Sequence, residues 1–559
     1  MQKRDMIIEK NVPCKLSDGI VLRSDVYRPD DDGVYPVLML RLPYDKETPR
    51  YYDEYLEVPR MVEAGYAVIL QDVRGRFASD GTFSPFTDEG KDGCEAVEWA
   101  ARLPYADGNV GLFGMSYHGY TQLAAAAEKP PSLKAIAPVM TMADPWADLY
   151  AEDNAAHATG KFETWVLGSI VEDQLRRKGI LDEQKLRYYH ENLATFLHQA
   201  PAEAWGPMQD LDPDSFFFDV MKGNFPAKVM ERANIQDKLH SIDIPALFMG
   251  GWFDALLKPT LEAYRAYHGP SMLWIGPWTH EEMTGRAGEV LFQNAEKHIG
   301  VDRIQDPTQL HIIWFDYWLK GKPMPVQEPV HLYAMGDAEW KAFSQEPDAS
   351  KQAFFLQSDG NAATGDSGKL AGQLTETETK TAMVLDPAHP VPTFGGNALI
   401  AGSDSGMFDI SGVQNRSDVL VYTSDPAEES LLLMGTVKAL VWGTSPSALF
   451  DIVIRLSDVD EEGRAWNITE TFHREKVEPD QIVRLELDVG TTLYRLEAGH
   501  RLRIDLAASN APHYDVNLNN GTTTKTHQDG YSDIEYIHEG GQTGSRILLP
   551  IADETDSPL

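Results

Sequence analysis

The stretch GLFGMSYHGY, residues 111–120, places a serine between two glycines directly after an apolar run. Gly114 and Gly119 flank Ser116, and His118 stands where the second glycine of the usual G-x-S-x-G motif would be. In that motif the serine lies on a sharp turn between a strand and a helix, where its hydroxyl is exposed as a nucleophile. An ordinary glycine turn has the same spacing, so this stretch alone leaves both interpretations open.

The composition indicates a multidomain globular protein and argues against binding to polyanions. A chain of 559 residues is too long for a single hydrophobic core, so we expect roughly two to four domains. Its net charge of −37 repels phosphate backbones and anionic lipid surfaces, so we expect neither nucleic acid nor a membrane as a partner. We expect a small molecule as the binding partner and either a monomer or a homodimer.

The cysteine content and the hydropathy favour a cytoplasmic protein. Cys14 and Cys94 are far apart, which argues against a disulfide framework and against a paired-cysteine metal motif. Residues 1–19 lack the apolar core of a signal peptide, and no window approaches the roughly eighteen apolar residues of a membrane-spanning helix. We therefore predict a cytoplasmic protein that needs no cofactor and no metal ion.

Strand and helix patterns alternate in residues 1–143 and return in residues 241–350. Residues 37–40 and 67–70 are short apolar runs typical of buried strands, and residues 89–102 carry apolar side chains at helical spacing. Such alternation is typical of a doubly wound α/β sheet. We predict one α/β domain that is interrupted and then resumes.

The two other regions have different patterns. In residues 144–240 aromatic and charged residues mix at helical spacing, which predicts a helical cap inserted into the α/β domain. In residues 351–559 short β-rich runs are separated by Asp, Gly and Asn turns, which is typical of a β-sandwich or jelly roll. The predicted fold class is α/β, with a helical cap and a C-terminal all-β domain.

Two polar residues follow strands in the order that a serine hydrolase requires. The apolar run 244–251 leads into Asp254, and the run 271–276 leads into His280. On α/β-hydrolase sheets the acid and then the histidine follow the serine along the chain, and a serine needs such an oriented base. Each residue taken singly fits a turn or a packing role. Together with Ser116, their order predicts a catalytic triad.

The oxyanion of a tetrahedral intermediate needs two hydrogen-bond donors. The residue after the serine normally gives a backbone N–H, which here belongs to Tyr117. The second donor usually comes from a glycine-rich loop after an early strand, but residues 41–46 contain no glycine. We predict that the Tyr44 hydroxyl replaces the missing amide. The alternative is that Tyr44 is a surface aromatic at a strand end.

Five segments resemble, in order and spacing, the cocaine esterase-like family of serine hydrolases. They are LRLPYDK, ILQDVRGRFASDGTF, DGNVGLFGMSYHGYTQ, GGWFDALL and IGPWTHEE. The family also includes α-amino-acid ester hydrolases and X-prolyl dipeptidyl-peptidases, and LEAGHRLRIDLAASNAPHYDVNLNNG resembles its jelly-roll domain. The resemblance covers essentially the whole chain. It implies an α/β-hydrolase domain, an inserted helical cap and a jelly roll that helps to close the site.

The resemblance also implies roles for single residues. It assigns the same triad and the same oxyanion donors, and it places the family's elbow glycine at Gly119. Trp165 in the cap resembles a tryptophan that lines the family's acyl pocket. We predict that the substrate pocket includes apolar and aromatic side chains of the cap and of the loop around the acid: Trp146, Phe162, Trp165, Phe253 and Leu256.

The residues after Asp254 narrow the predicted substrate. α-Amino-acid ester hydrolases bind the substrate ammonium with a carboxylate cluster, two members of which closely follow the catalytic aspartate. Here Ala255, Leu256 and Leu257 follow, and an apolar run does not stabilise a buried cation. We predict a serine carboxylesterase that cleaves esters of neutral, short or aromatic acyl groups through an acyl-enzyme.

Three alternatives stay open at this point. The first is an α-amino-acid ester hydrolase or β-lactam acylase, in which Glu152 or Asp153 of the cap would bind an ammonium. The second is an amide hydrolase of the X-prolyl dipeptidyl-peptidase type. The third is a non-catalytic protein that binds a carbohydrate with its jelly roll.

Overall fold

The computed structural model describes residues 5–150, 157–197, 204–295, 304–363, 368–520 and 530–552. Within these residues two large β-sheets carry the fold. One is a mixed sheet of ten strands with helices on both faces, and the other is a sheet of eleven strands in the C-terminal part of the chain.

The first sheet and one short hairpin contain twelve strands. They are β1 (Met6–Lys15), β2 (Val21–Pro29), β3 (Tyr35–Leu42), β4 (Ala67–Asp72), β5 (Ala106–Met115), β6 (Leu133–Val139), β7 (Ala246–Phe253), β8 (Ser271–Thr279), β9 (Arg286–Ala287), β10 (Val290–Leu291), β11 (Val330–Ala334) and β12 (Glu339–Phe343). β9 and β10 pair with each other, and the rest form one sheet in the order β1-β2-β4-β3-β5-β6-β7-β8-β11-β12. The strands from β4 to β11 in that order run parallel, and β1, β2 and β12 are antiparallel at the edges.

The central strands are apolar on both faces because helices cover both sides of the sheet. Outside the cap these helices are α1 (Val58–Glu63), α2 (Glu89–Ala100), α3 (Tyr117–Ala127), and two that follow the cap, defined below. Along β3 the side chains alternate between two cores. Val37 and Met39 join the core under α2 and α3, whereas Leu38 and Leu40 join the core under α1.

Between β6 and β7 the described regular elements are helices, joined by turns and loops. They include α4 (Pro145–Leu149), α5 (Thr159–Trp165), α6 (Val171–Lys178), α7 (Glu183–Glu191), α8 (Leu193–Phe196), α9 (Gly206–Leu211), α10 (Phe216–Met221) and α11 (Ala227–Ala233). A π-helical turn, Val166–Ile170, joins α5 to α6. After this cap, α12 (Leu257–Ala266) and α13 (Pro307–Lys320) return to the faces of the first sheet.

Among the described residues, the C-terminal part is all-β apart from α14 (Ser411–Gln414), a single helical turn, and a short 3-10 turn. Its strands are β13 (Lys351–Gln357), β14 (Lys369–Ala371), β15 (Thr379–Leu385), β16 (Leu420–Thr423), β17 (Leu431–Thr444), β18 (Leu449–Val459), β19 (Ala465–Lys476), β20 (Ile482–Leu496), β21 (Arg501–Ala507), β22 (Asp533–Glu539) and β23 (Arg546–Pro550). This domain touches the cap, where the Ala401 N–H donates to Thr164 Oγ1 at 3.0 Å.

The predicted fold class is confirmed: an α/β-hydrolase domain, a helical cap inserted in it, and a C-terminal all-β domain. The predicted boundaries after residues 143, 240 and 350 stay predictions. The N-terminal hairpin β1–β2 and the strands β11 and β12 at the opposite end of the sheet add to the predicted α/β pattern. In the part of the chain that the structure describes, no helix combines the length and the apolar character needed to cross a bilayer.

Candidate active site

Ser116 lies on a strained turn between β5 and α3. Its backbone φ is 59° and its ψ is −125°, a combination that side-chain-bearing residues rarely adopt. The turn is held from the neighbouring strand, because the Ser116 N–H donates to the carbonyl oxygens of Val139 at 2.9 Å and Met140 at 3.1 Å. The geometry is that of the sharp strand-to-helix elbow that exposes a serine hydroxyl.

The two glycines of the elbow are required by close contacts. A Cβ at Gly114, where φ is +138°, would lie 2.6 Å from His118 Nδ1 and 2.9 Å from the His118 carbonyl oxygen. A Cβ at Gly119 would lie 2.7 Å from both Cβ and Oγ1 of Thr141. Helix α3 therefore packs so tightly at residue 119 that the second glycine is needed there, one position later than in G-x-S-x-G.

His118 supports the elbow from inside. Its Nδ1 accepts the Met115 N–H at 2.5 Å, so this nitrogen carries no proton. Burial first, and then the positive charges of Arg50 and His280, hold the pKa of His118 well below its ordinary value. A neutral imidazole with its acceptor nitrogen occupied by the backbone is a structural group rather than a base.

Asp254 and His280 follow β7 and β8 directly and meet at the same edge of the sheet. Nδ1 of His280 lies 2.7 Å from Oδ1 of Asp254, and Asp254 is fully buried. Since a carboxylate only accepts, Nδ1 of His280 is the donor in this bond. Burial opposes the charged imidazole, but the charge of Asp254 and its hydrogen bond outweigh burial and raise the pKa of His280.

Ser116 and His280 line one cavity of about 580 Å³, here called the serine cavity. It opens beyond the carboxyl ends of the parallel strands, where ligands bind in open α/β sheets. Tyr44, which follows β3, and Tyr117 line it as well. Much of the remaining wall is apolar or aromatic and is formed by Phe86, Met142, Leu149, Trp165, Leu256 and Leu399.

Tyr44 points its hydroxyl toward the cap. Tyr44 Oη accepts the indole N–H of Trp165 at 2.9 Å, so its own proton is available for another acceptor. Burial raises the pKa of Tyr44 to about 12, although the bond from Trp165 lowers it. The phenol therefore keeps its proton at neutral pH.

Tyr117 is anchored by a buried network behind the serine cavity. Its hydroxyl donates to Glu89 Oε1 at 2.9 Å and accepts the Phe86 N–H at 2.9 Å, and its ring stacks on Phe86 at 4.4 Å. Arg41 Nη2 lies 3.3 Å from Glu89 Oε2. As the first residue of α3, Tyr117 has a backbone N–H with no intrahelical acceptor, which leaves it free to bind an anion.

The structure divides the predicted pocket residues into two groups. Trp165 and Leu256 line the serine cavity. Trp146 and Phe162 lie in the layer behind it, where Trp146 packs edge-on against Phe86 at 5.8 Å and Phe162 contacts Trp165 at 5.7 Å. Neither side chain is among those that line the serine cavity, so contact of these two residues with the substrate stays a prediction.

Phe253 is not among the residues that line the serine cavity, and its contact with the substrate also stays a prediction. It lines a separate cavity of about 310 Å³ between α12 and the C-terminal domain, and it packs against Phe292 with the ring centroids 6.0 Å apart. The residue belongs to β7, and successive side chains of a strand point to opposite faces of the sheet. Glu152 and Asp153, the alternative ammonium ligands, lie outside the described residues.

A second cavity, of about 730 Å³, meets the serine cavity at His280, and Arg50, Met115 and Glu281 also line both. Arg50 Nη1 and Glu281 Oε2 form an ion pair of 2.8 Å where the two cavities meet. Burial opposes the charged form of Glu281, but Arg50 and His280 outweigh it and lower the pKa of this carboxyl. Neither Arg50 nor Glu281 was predicted, although the position of Glu281 directly after His280 was a usable signal.

No group of three or more His, Cys, Asp or Glu side chains is arranged to hold a metal ion in the six described ranges. The polar groups that line the serine cavity include the Ser116 hydroxyl, the His280 imidazole and the Tyr44 phenol. An α/β sheet with a serine elbow facing a histidine is the arrangement of a serine hydrolase.

Comparison with known proteins places the chain within this class. Residues 18–282 match the family model of the X-Pro dipeptidyl-peptidase (S15 family), and residues 326–548 match that of the X-Pro dipeptidyl-peptidase C-terminal non-catalytic domain. The chain is 30% identical over 574 residues to cocaine esterase from Rhodococcus sp. (strain MB1 Bresler), an alignment that covers 97% of this chain and 98% of that protein. The chain belongs to the cocaine esterase-like family of serine hydrolases.

Solved structures share the whole fold at low identity. An α-amino acid ester hydrolase aligns with a TM-score of 0.78 at 19% identity, covering 99% of this chain and 97% of the other. An aminopeptidase from the marine sediment archaeon Thaumarchaeota archaeon aligns with a TM-score of 0.76 at 19% identity, with the same coverage of both chains. At these identities the likeness concerns the fold.

Proposed function

We propose that the protein is a carboxylesterase that cleaves esters of neutral, short or aromatic acyl groups through an acyl-enzyme. The observation that carries this proposal is the serine cavity itself. Ser116, on its strained elbow, and His280, oriented by Asp254, line the same cavity, and much of its wall is apolar or aromatic. Family membership supports ester hydrolysis as the chemistry.

In the first half-reaction Ser116 Oγ attacks the ester carbonyl carbon while His280 takes the hydroxyl proton. Because Nδ1 of His280 donates to Asp254, Nε2 is the nitrogen without a proton and serves as the base. The imidazolium then gives this proton to the leaving alkoxide, so the alcohol departs and Ser116 keeps the acyl group. In the second half-reaction His280 deprotonates a water that attacks the acyl-enzyme, and the imidazolium then returns this proton to Ser116 Oγ as its bond to the acyl carbon breaks and the carboxylic acid leaves.

The oxyanion formed in each half-reaction would be bound by the Tyr44 hydroxyl and the Tyr117 backbone N–H. Both groups line or border the serine cavity beside Ser116. The high pKa of Tyr44, about 12, keeps its proton in place as a donor at neutral pH. Donors fixed in a buried wall stabilise a developing charge without having to reorganise.

The residues that line the serine cavity favour the binding of a neutral acyl group. Phe86 and Trp165 stack at 5.8 Å with an interplanar angle of 23°, and this aromatic face suits a flat acyl group. The carboxylates of Glu172 and Asp173 in the same wall are each paired with an arginine, at 2.5 Å and 3.6 Å. A substrate ammonium would have to compete with these arginines for a carboxylate partner.

The second cavity is placed so that the leaving alcohol could depart through it. It contains His280, which would protonate that alcohol, but not Ser116. Its described lining includes five carboxylate residues that the serine cavity does not share: Asp53, Glu54, Glu57, Glu282 and Asp306. The acidic lining would disfavour an alcohol that carries a negative charge.

A fluorophosphonate probe tests the proposal, because it reacts with a serine only where a base and an oxyanion hole activate it. We expect labelling of the native protein and none of Ser116→Ala, which should also lose nearly all hydrolysis of p-nitrophenyl esters. Ser169 lines the same cavity and provides a matched control. Ser169→Ala should label like the native protein, whereas labelling that survives Ser116→Ala would refute the assignment.

The same experiment separates the proposed enzyme from a carbohydrate-binding protein, which would not be labelled. The rival within the family is amide hydrolysis, which the match to X-Pro dipeptidyl-peptidases suggests. Comparing p-nitrophenyl esters with aminoacyl p-nitroanilides decides between them. A carboxylesterase should hydrolyse the esters and leave the anilides nearly untouched.

A further inference from the structure

The hydrogen bond between Trp165 and Tyr44 fixes where the proton of Tyr44 points. An indole N–H is a donor only, so at 2.9 Å the Tyr44 oxygen must be the acceptor. A phenol has a single proton, which is therefore directed away from Trp165. Tyr44 and Ser116 line the same cavity, so this proton is available to an acceptor that binds there.

Trp165 is itself held in a fixed plane. It is the last residue of α5, and the π-helical turn Val166–Ile170 begins directly after it. Its ring stacks with Phe86 at 5.8 Å and with Tyr117 at 6.5 Å, both nearly parallel. π-Helical turns inside helices occur frequently at functional sites. The indole N–H is thus aimed by packing rather than by the substrate.

A buried arginine joins the segments that carry the two residues. Arg76 is fully buried, and its guanidinium donates to the carbonyl oxygen of Pro43 at 2.7 Å, directly before Tyr44. It also donates to the carbonyl oxygens of Ile170 at 2.9 Å and Ser169 at 3.2 Å, in the π-helical turn after Trp165. The Tyr44 loop and the cap are therefore held at a fixed separation.

We propose that Trp165 is a positioning residue that orients the Tyr44 hydroxyl toward the oxyanion, beyond lining the acyl pocket. The inference rests on the proposed function, in which Tyr44 binds the oxyanion. A hydrogen bond donated to the phenol oxygen also polarises its O–H, which strengthens the bond that the proton makes. Because Trp165 belongs to the cap and Tyr44 to the α/β domain, the correct placement of the cap becomes a requirement for oxyanion binding.

A double-mutant cycle of Trp165→Phe and Tyr44→Phe tests this inference. Trp165→Phe keeps an aromatic ring but removes the N–H, so we expect kcat to fall about fivefold to thirtyfold while KM changes less than about twofold. With the Tyr44 hydroxyl already absent, the same change should lower kcat less than about twofold, because there is no proton left to orient. The assay is hydrolysis of a p-nitrophenyl ester under saturating substrate.

A control variant at another tryptophan shows how the loss of an indole hydrogen bond elsewhere in the cap affects stability and kcat. Trp205 is buried, and its Nε1 donates to the Phe196 carbonyl oxygen at 3.0 Å, away from both cavities. Trp205→Phe should lower the melting temperature without a comparable fall in kcat. If Trp165→Phe does not fold, benzothienylalanine at residue 165, which replaces the N–H by sulfur in a ring of the same shape, gives the same comparison.

The outcomes separate the two levels of the proposal. Equal losses of kcat in both backgrounds would mean that Trp165 acts through packing alone, and the inference would be overturned while the function stands. No loss in the native background would also overturn it. If Tyr44→Phe alone leaves kcat unchanged, the assignment of Tyr44 as an oxyanion donor is wrong. If Ser116→Ala keeps its activity, the proposed function itself is wrong.

Discussion

Nδ1 of His280 lies 2.7 Å from Oδ1 of the fully buried Asp254, and this contact determines the protonation of the histidine. The carboxylate raises the pKa of His280 above its ordinary value despite burial. Only the neutral imidazole accepts the serine proton in the proposed mechanism. Activity should therefore be lost as the pH falls through this raised pKa.

The first prediction concerns Asp254→Asn. Without the carboxylate, burial lowers the pKa of His280, so the acidic limb of kcat/KM should move to lower pH. The tautomer is no longer enforced either, and kcat should fall by ~10⁴. The measurement is the pH profile of p-nitrophenyl ester hydrolysis for both proteins. If the acidic limb of the kcat/KM profile did not move, a group other than His280 would control the loss of activity at low pH.

The second prediction concerns the elbow glycines. Gly119→Ala should lower the free energy of unfolding by about 1–3 kcal/mol, because its Cβ would lie 2.7 Å from Thr141. Gly114→Ala should cost more, since φ there is +138° and the new Cβ would meet the His118 backbone.

Urea unfolding measures these two variants against a control. Gly412, in α14, has no positive φ, and a methyl group added there would have no heavy atom within 4 Å, so Gly412→Ala should be neutral or slightly stabilising. If Gly119→Ala were as stable as this control, tight packing of α3 would not explain the position of the second glycine.

The third prediction concerns Tyr44. Tyr44→Phe removes one hydroxyl and keeps the ring, so packing should hardly change. Loss of an oxyanion donor acts on the transition state, so kcat should fall ~10²–10³-fold while KM moves little. Measuring kcat and the melting temperature on one preparation separates this from a structural role. A fall in kcat of less than about fivefold would place the second donor elsewhere.

The strands that carry the candidate site could be predicted because each is an uninterrupted apolar run. β7 is buried throughout and β8 from Leu273 onward, so polar residues do not interrupt these apolar runs. Asp254 and His280 come directly after these runs, so chain order alone brings them to one edge of the sheet. The same reasoning explains why the serine elbow after β5 was recognisable.

The sequence does not reveal in this way which cap residues reach the serine cavity and which lie behind its wall. Phe162 and Trp165 are three residues apart on α5, so helical spacing puts them on the same side. Which of them reaches the serine cavity depends on how α5 docks on the α/β domain. Arg76, which fixes that docking, contacts Ile170 across 94 residues of chain, and no local pattern reveals such a contact.

The last prediction concerns the charge of the acyl group. Lys161 lines the serine cavity, is 1% exposed and donates to the Asp148 carbonyl oxygen at 3.0 Å, so the wall itself contains a cation. Beside it, Glu172 and Asp173 are engaged by arginines. A substrate ammonium would be desolvated next to a like charge, which is unfavourable in a buried site.

Methyl phenylacetate and methyl phenylglycinate differ by one amino group and therefore test this charge preference. We expect kcat/KM to favour phenylacetate by about tenfold or more while the amine is protonated, which corresponds to roughly 1.4 kcal/mol. The preference should shrink at a pH where the amine is neutral, because size and shape then differ little. Lys161→Met should also reduce the kcat/KM preference for phenylacetate over the protonated phenylglycinate. The comparison requires that the melting temperature of this variant shows an intact fold. A clear preference for the protonated phenylglycinate would instead favour the α-amino-acid ester hydrolase alternative, with its ammonium ligands among residues such as Glu152 and Asp153 of the cap.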